Sequence, residues 1–471
     1  MYQPSSPWLS ELRQLLRLAA PLAAAHAGNQ LMGLVDTAIV GRLGAVELGA
    51  VGLANSLFFP LTVLGMGAMM GLDPLVSQAL GAGDAVRARK LLWQGVWMAV
   101  LVGLVLSVPI GLAPSLLVPF GIEPAVAAKA SSYLYVRLIG LVPALLFVGV
   151  RSYLQSIGST RPMLIAVVAA NIFNVAATLF LVYGGGSLPA WAGPLRHFPA
   201  LGVEGAALAT TLCTLLQVGI VAAAVRAAAV PGFERGDRRF DPIEFRRGLK
   251  VGAPIGLQLG AEVGVFALVG LLVGKLGTHE LAAHQISLTL ASFTFTVAMG
   301  VGAAASVRVG RAIGAGDTPA ARLAGIVGLA GGGGMMTLGA LLFVLIPAPL
   351  AALLTDEPEV IGMAVPLLLV AAVFQISDGL QAVGAGVLRG AGDTRFPFVA
   401  NVVGHYAVGL PVGIALGMWF GFGVGGLWWG LCTGLTAVAS TLTVRFLRLS
   451  SRPIRPLAAS AAVAAEPAAG A

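Results

Sequence analysis

Charge is what this sequence has least of. Asp, Glu, Lys and Arg make up 10% of its 471 residues, against roughly 25% in soluble globular domains, and a chain so poor in charge cannot clothe a water-facing surface. Only two cysteines occur, Cys213 and Cys432, both inside apolar runs. They read as small buried side chains, and no disulfide framework is indicated. No GxxxxGK[ST] phosphate loop is present, so any pumping must be driven by an ion gradient rather than by ATP. His26, His284 and His405 stand apart without metal-ligand spacing, and no nucleophile–base pair can be assembled, so neither an enzyme nor a cofactor is expected. The net charge of +8 does not point to nucleic acid, because the basic residues lie between apolar runs, where membrane orientation places them.

What the chain has instead is hydrophobicity: 58% of residues are apolar and the mean hydropathy is +0.92. Apolar runs of about 20 residues predict twelve helices near 15–40, 48–72, 91–112, 131–153, 163–183, 203–226, 251–274, 281–303, 323–346, 364–388, 398–418 and 424–446. With the N-terminus in the cytoplasm, 23 Lys and Arg residues fall inside and four outside (Arg42, Lys129, Arg196 and Lys275), with Arg137 within a span. That asymmetry predicts a multi-pass protein of the bacterial inner membrane with both termini cytoplasmic. Leu15 to Ala27 also resembles a signal peptide, but cutting there would remove half of a segment whose counterpart elsewhere in the chain is intact.

That counterpart belongs to an internal repeat. Pro21 matches Pro254, Leu43-Gly44 matches Leu276-Gly277, and Gly81-Ala82-Gly83-Asp84 matches Gly314-Ala315-Gly316-Asp317, all at an offset of 233. Further on, Gly158-Ser159-Thr160-Arg161 matches Gly392-Asp393-Thr394-Arg395 at 234. Each half holds six spans, and an even number makes the halves parallel, related by an axis along the membrane normal. The expected organisation is an all-α polytopic protein. It comprises an N-terminal lobe over 1–225, a basic cytoplasmic linker over 226–250, a C-terminal lobe over 251–446 and a disordered Ala-rich tail over 447–471. Two like lobes around a cleft suit alternating access. The GAGD sequences are too short to cradle phosphate and read as tight turns.

Only Asp36, Glu262 and Asp378 are expected well inside spans. An intramembrane carboxylate costs roughly 2.5 kcal/mol or more, so it is normally neutralised by a proton, a cation or a partner. Glu262 lies eleven residues past Val251, and Asp378 fourteen past Ala364 on a helix running the other way. At about 1.5 Å per residue both fall near the midplane, where they could share one site. Shifted by the offset, Asp36 falls on Val269, Glu262 on Asn29 and Asp378 on Ala144, and acids absent from the sister half favour function over architecture. Competition of a proton or sodium ion with an organic cation for such a carboxylate is an antiport mechanism. Gln258, Gln285, Asn174, Phe295 and Phe374 are further candidates for contact with cation or cargo; isolated amides and phenylalanines in spans otherwise serve as interhelical glue and packing.

The chain resembles the multidrug and toxic compound extrusion (MATE) family, in its NorM-type branch. The resemblance rests on Pro21 with Val35-Asp36-Thr37, Ala253-Pro254-Ile255, Ala261-Glu262-Val263, Ala283-His284-Gln285, Val307-Arg308-Val309-Gly310, Ser377-Asp378-Gly379 and Leu388-Arg389-Gly390, and covers Leu12 to Arg445. It implies two six-helix lobes, a V-shaped central cavity, and sodium- or proton-coupled export of small organic cations by a monomer in contact with membrane lipid. Glu262 and Asp378 match the C-lobe cation-site acids, Asp36 the N-lobe acid and Asn174 an N-lobe polar position. Phe374 stands where some sodium-coupled relatives carry a tyrosine. A lipid-linked precursor flippase of the same superfamily is the alternative, for which a cationic cavity would be expected.

Overall fold

The computed structural model describes residues 7–186 and 190–457; of the tail expected to be disordered over 447–471, residues 458–471 fall outside the described residues, whereas the last helix runs on to Leu449 and Ile454 and Leu457 pack against the core. Regular structure among them is entirely helical. The long helices are α1 (Pro7–Gly41), α2 (Ala45–Gly81), α3 (Ala85–Leu117), α4 (Pro124–Ser156), α5 (Arg161–Tyr183), α6 (Gly202–Ala227), α7 (Pro242–Gly274), α8 (Thr278–Gly314), α9 (Thr318–Leu345), α10 (Pro358–Gly390), α11 (Arg395–Trp419) and α12 (Gly423–Leu449). The eleven from α2 to α12 are long and apolar enough to cross a membrane. Helix α1, with 35 residues, has the length, but Arg17, His26, Asn29 and Gln30 dilute its hydropathy. The chain is a multi-pass membrane protein.

Several helices run beyond the apolar runs, because capping rather than hydropathy ends them. Asp84 accepts from the Arg87 N–H at 2.8 Å and Asp317 from the Ala320 N–H at 2.9 Å, which starts α3 and α9. Gly83 and Gly316 just before them have φ of 78° and 76°, a left-handed conformation suited to glycine. The two GAGD sequences are thus turns. Helix α2 breaks at Gly71 and resumes at Leu72. Helix α11 contains π-helical turns over Val403–Gly409 and Ala415–Trp419.

Within the halves α1 packs on α5, α3 on α4 and α5 on α6 in one lobe, and α8 on α9 and both α8 and α12 on α10 in the other, whereas α1 and α7 pack more on the opposite lobe than on their own. Between lobes the main packed pairs are α1 with α8 and α2 with α7. The repeat turns one of these pairs into the other, as a pseudo-two-fold requires. At the α2–α7 seam, α7 presents Gly248, Gly252, Gly256 and Gly260 at four-residue spacing. A side chain at Gly71 would come within 2.6 Å of the Gly248 carbonyl and of Gly252 Cα. Small residues at such spacing allow backbones to approach.

The apolar core is divided unequally. Toward the ends that carry the GAGD turns and most basic residues, hereafter the basic face, one cluster unites the lobes. It joins Leu15, Leu72 and Leu154 with Val301, Val383 and Phe446. Toward the opposite face the core splits in two, one cluster around Val40, Ala54 and Tyr133, the other around Val273, Leu368 and Trp428. The cleft between lobes therefore opens away from the basic face.

Candidate functional site

Helix α7 carries Glu262 at mid-length, buried with 9% of its surface exposed. Its Oε2 accepts from Gln381 Nε2 of α10 at 3.1 Å and from Asn401 Nδ2 of α11 at 3.4 Å. Asp378, one turn before Gln381 on α10, is also buried. No hydrogen bond and no basic side chain reaches Asp378 among the described residues. The carbonyl oxygens of Gln381 and Asn401 are buried without a hydrogen-bond partner. Glu262 is thus held by two amides with no ion pair among the described residues, and Asp378 is buried one turn from Gln381; buried carboxylates of this kind suit a proton or a monovalent cation.

Beside Glu262 lies a cavity of about 30 Å³, lined also by Gln258, Phe295, Gln381 and Arg389. That volume accommodates a water molecule. The candidates Gln258 and Phe295 therefore face the same space as Glu262, whereas Gln285 and Phe374 are placed elsewhere. Gln285 is exposed on α8. Phe374 is buried in an aromatic cluster, 6.1 Å from Phe266 and 5.6 Å from Trp428 between ring centroids. Trp428 Nε1 donates to His284 Nδ1 at 3.1 Å, so His284 serves that cluster.

Asp36 forms a separate site in the N-lobe. Its Oδ1 accepts from Asn174 Nδ2 at 2.9 Å and Thr178 Oγ1 at 3.0 Å, and its Oδ2 from Thr210 Oγ1 at 2.8 Å. Helices α1, α5 and α6 supply these groups, and all three partners present donors to a charged oxygen. The arrangement holds a carboxylate in place without neutralising it. Arg137 makes no ion pair among the described residues; its guanidinium lies over the Phe58 ring at 4.7 Å.

Sequence reasoning missed Gln381, Asn401, Thr178 and Thr210, although each is a polar residue three to five positions from an acid or facing one across the lobe. It also missed an acid. Asp73 is fully buried, contrary to the expectation of only three acids within spans, because α2 continues past Gly71 where the apolar-run reading stopped at 72. Gln155 Nε2 donates to Asp73 Oδ1 at 2.7 Å.

Set against known proteins, the repeat and the fold acquire a common explanation. The MatE family profile matches residues 21–180 and again 254–415, and the two starts differ by 254 − 21 = 233, the offset of the internal repeat. The chain belongs to the MATE transporter family. Within it, this transporter is NorM-type. It is 33% identical over 468 residues to the probable multidrug resistance protein NorM of Rhizobium meliloti, covering 97% of this chain and 98% of that one. It is 35% identical over 462 residues to the protein of the same name from Agrobacterium fabrum, covering 96% and 97%. The crystal structure of the Vibrio cholerae MATE transporter VcmN in its bent form shares the fold, with TM-score 0.80 over 95% of this chain and 98% of that one at 21% identity.

Proposed function

We propose that this MATE transporter exports hydrophobic organic cations by antiport with H+ or Na+, using Glu262 and Asp378 as the coupling site and Asp36 as a second acidic station in the opposite lobe. The observation that carries the reading is the pair of buried acids, Glu262 hydrogen-bonded only by amides and Asp378 without a basic partner among the described residues. Such a pair is stable only when a proton or cation joins it, and an entering cation competes for the same oxygens. The multidrug resistance names of the NorM relatives support the cargo class. The basic face is assigned to the cytoplasm by the positive-inside rule, which makes the cleft described here open to the outside of the inner membrane.

A flippase for an anionic lipid-linked precursor would need cations in the central cleft. The acids at Asp36, Glu262 and Asp378 oppose such a head group. The test is efflux of a fluorescent cationic dye from proteoliposomes under a sodium gradient or a proton gradient imposed separately. Dye movement driven by either gradient, and lost in Asp378→Asn, supports the reading and names the ion. Dye that stays put under both gradients overturns it.

A further inference from the structure

The repeat relates Gln78 of α2 to Arg311 of α8, Gly81 to Gly314, and at the later offset Ser156 to Gly390 and Gly158 to Gly392. All meet where the lobes touch at the basic face. Gly81 lies against the backbone of Arg311 and Gly314 against the backbone of Gln78, so the pseudo-two-fold passes between them. The side chains follow the same relation. Gln78 Nε2 donates to the Gly390 carbonyl at 3.0 Å, and Arg311 Nη2 donates to the Ser156 carbonyl. Each bond crosses from one lobe to the other.

The symmetry fails at one place. The Arg311 guanidinium also covers Gly158, where an added Cβ would stand 3.9 Å from Nη2. At Gly392 the three nearest side-chain atoms belong not to Gln78 but to a third element. Leu457, from the segment that follows α12, occupies that position, and a Cβ at Gly392 would stand 2.9 Å from its Cδ2. The Leu457 N–H donates to Gln78 Oε1 at 2.8 Å, and the Ile454 N–H donates to Thr318 Oγ1 at 3.4 Å. Ile454 and Leu457 both pack against the cluster that unites the lobes. The buried Gln78 amide thus binds a C-lobe carbonyl through its nitrogen and the terminal segment through its oxygen.

We propose that residues 454–457 are a latch that completes the closure of the basic face and biases the transporter toward the state in which the cleft opens on the opposite side. Leu457 is hydrogen-bonded to one lobe and packed on a glycine of the other, so the lobes cannot part at the basic face without withdrawing it from one of them. The latch rests on the alternating-access reading above. Its effect is on the equilibrium between the two openings, since a contact made in one state alone shifts populations toward that state.

Spin labels at the exposed, repeat-related positions Ala82→Cys and Ala315→Cys, in full-length protein carrying Cys213→Ala and Cys432→Ala and reconstituted in lipid nanodiscs, report the width of the basic face by electron–electron distance measurement. Deletion of residues 454–471 is expected to raise the wide-to-narrow ratio roughly tenfold, a shift of about 1.4 kcal/mol. Leu457→Pro, which removes the N–H that Gln78 accepts, is expected to move the ratio the same way, and Leu457→Ala less. Deletion of 458–471 alone leaves it unchanged. Unaltered distances in the 454–471 deletion and in Leu457→Pro overturn the latch, as does an equal shift on removing 458–471 only. Dye efflux measured in parallel separates the two proposals. A distance shift in a protein that moves no dye sinks the exporter reading and leaves the latch, whereas gradient-driven efflux with unmoved distances does the reverse.

Discussion

Asp73 of one lobe and Arg389 of the other are buried together, with Oδ2 and Nε 3.8 Å apart. Arg151, also buried, sets its Nη1 3.5 Å from His26 Nε2. The Asp73–Arg389 pair is thus the one ion pair that Asp73 makes among the described residues. Removing a partner from a buried ion pair leaves an uncompensated charge and costs about 3–5 kcal/mol. Asp73→Ala is expected to lower the thermal unfolding temperature in detergent, and adding Arg389→Met to recover part of the loss. An unchanged melting temperature in the single variant means that the pair contributes nothing to stability.

Glu262→Gln keeps an acceptor for the Gln381 amide and removes the charge. Expression and melting temperature are expected to stay close to those of the parent, while the initial rate of gradient-driven dye efflux falls by roughly tenfold or more, the scale of a lost interaction of about 1.4 kcal/mol in the rate-limiting state. Asp378→Asn should behave alike. Full efflux from both variants removes these acids from the mechanism.

Asp36→Asn tests the second station. Thr178 and Thr210 can reorient their hydroxyls, and Thr210 already shares its own with the Ala206 carbonyl at 3.0 Å, so the fold is expected to tolerate the amide. Cation affinity, read as dye binding to purified protein by fluorescence anisotropy, should weaken. Undiminished binding would make Asp36 a structural residue held by its three donors.

Gly256→Leu places a side chain against the Leu64 carbonyl of the facing helix. Overpacking of this kind costs about 1–3 kcal/mol, here drawn from the seam between α2 and α7. The expected result is a wider distance between labels at Ala82→Cys and Ala315→Cys, with secondary structure by circular dichroism unchanged. A distance distribution matching the parent's would show that the seam adjusts around the leucine.

The architecture was legible because periodicity and repetition are properties of the chain itself. Matching Pro21 to Pro254 and GAGD to GAGD pointed to the two halves, and three acids absent from their sister positions marked the polar clusters around Glu262 and Asp36. The partners were not legible in the same way. Gln381 and Asn401 are ordinary amides in apolar helices, and only the packing of α10 and α11 on α7 turns them toward Glu262. Asp73 was hidden because a hydropathy reading ends where apolar residues end, whereas α2 pivots at Gly71 and continues inside the protein. Leu457 lies in a stretch with no periodic signal, and its role depends on the length difference between Gln78 and Arg311.

The unequal division of the core sets a thermodynamic condition on transport. Parting the lobes at the basic face exposes the apolar cluster they share there, including Leu72 and Val383, whereas the two clusters near the other face are already separate. Closing that other face must therefore create a new shared surface of comparable worth. Otherwise the difference falls on whatever is bound: a cation or a cargo molecule moves the lobes only as far as its affinity for the second state exceeds its affinity for the first. The one-sided core thus sets a conformational preference that whatever binds must offset to reopen the basic face, and that cancels over a complete cycle.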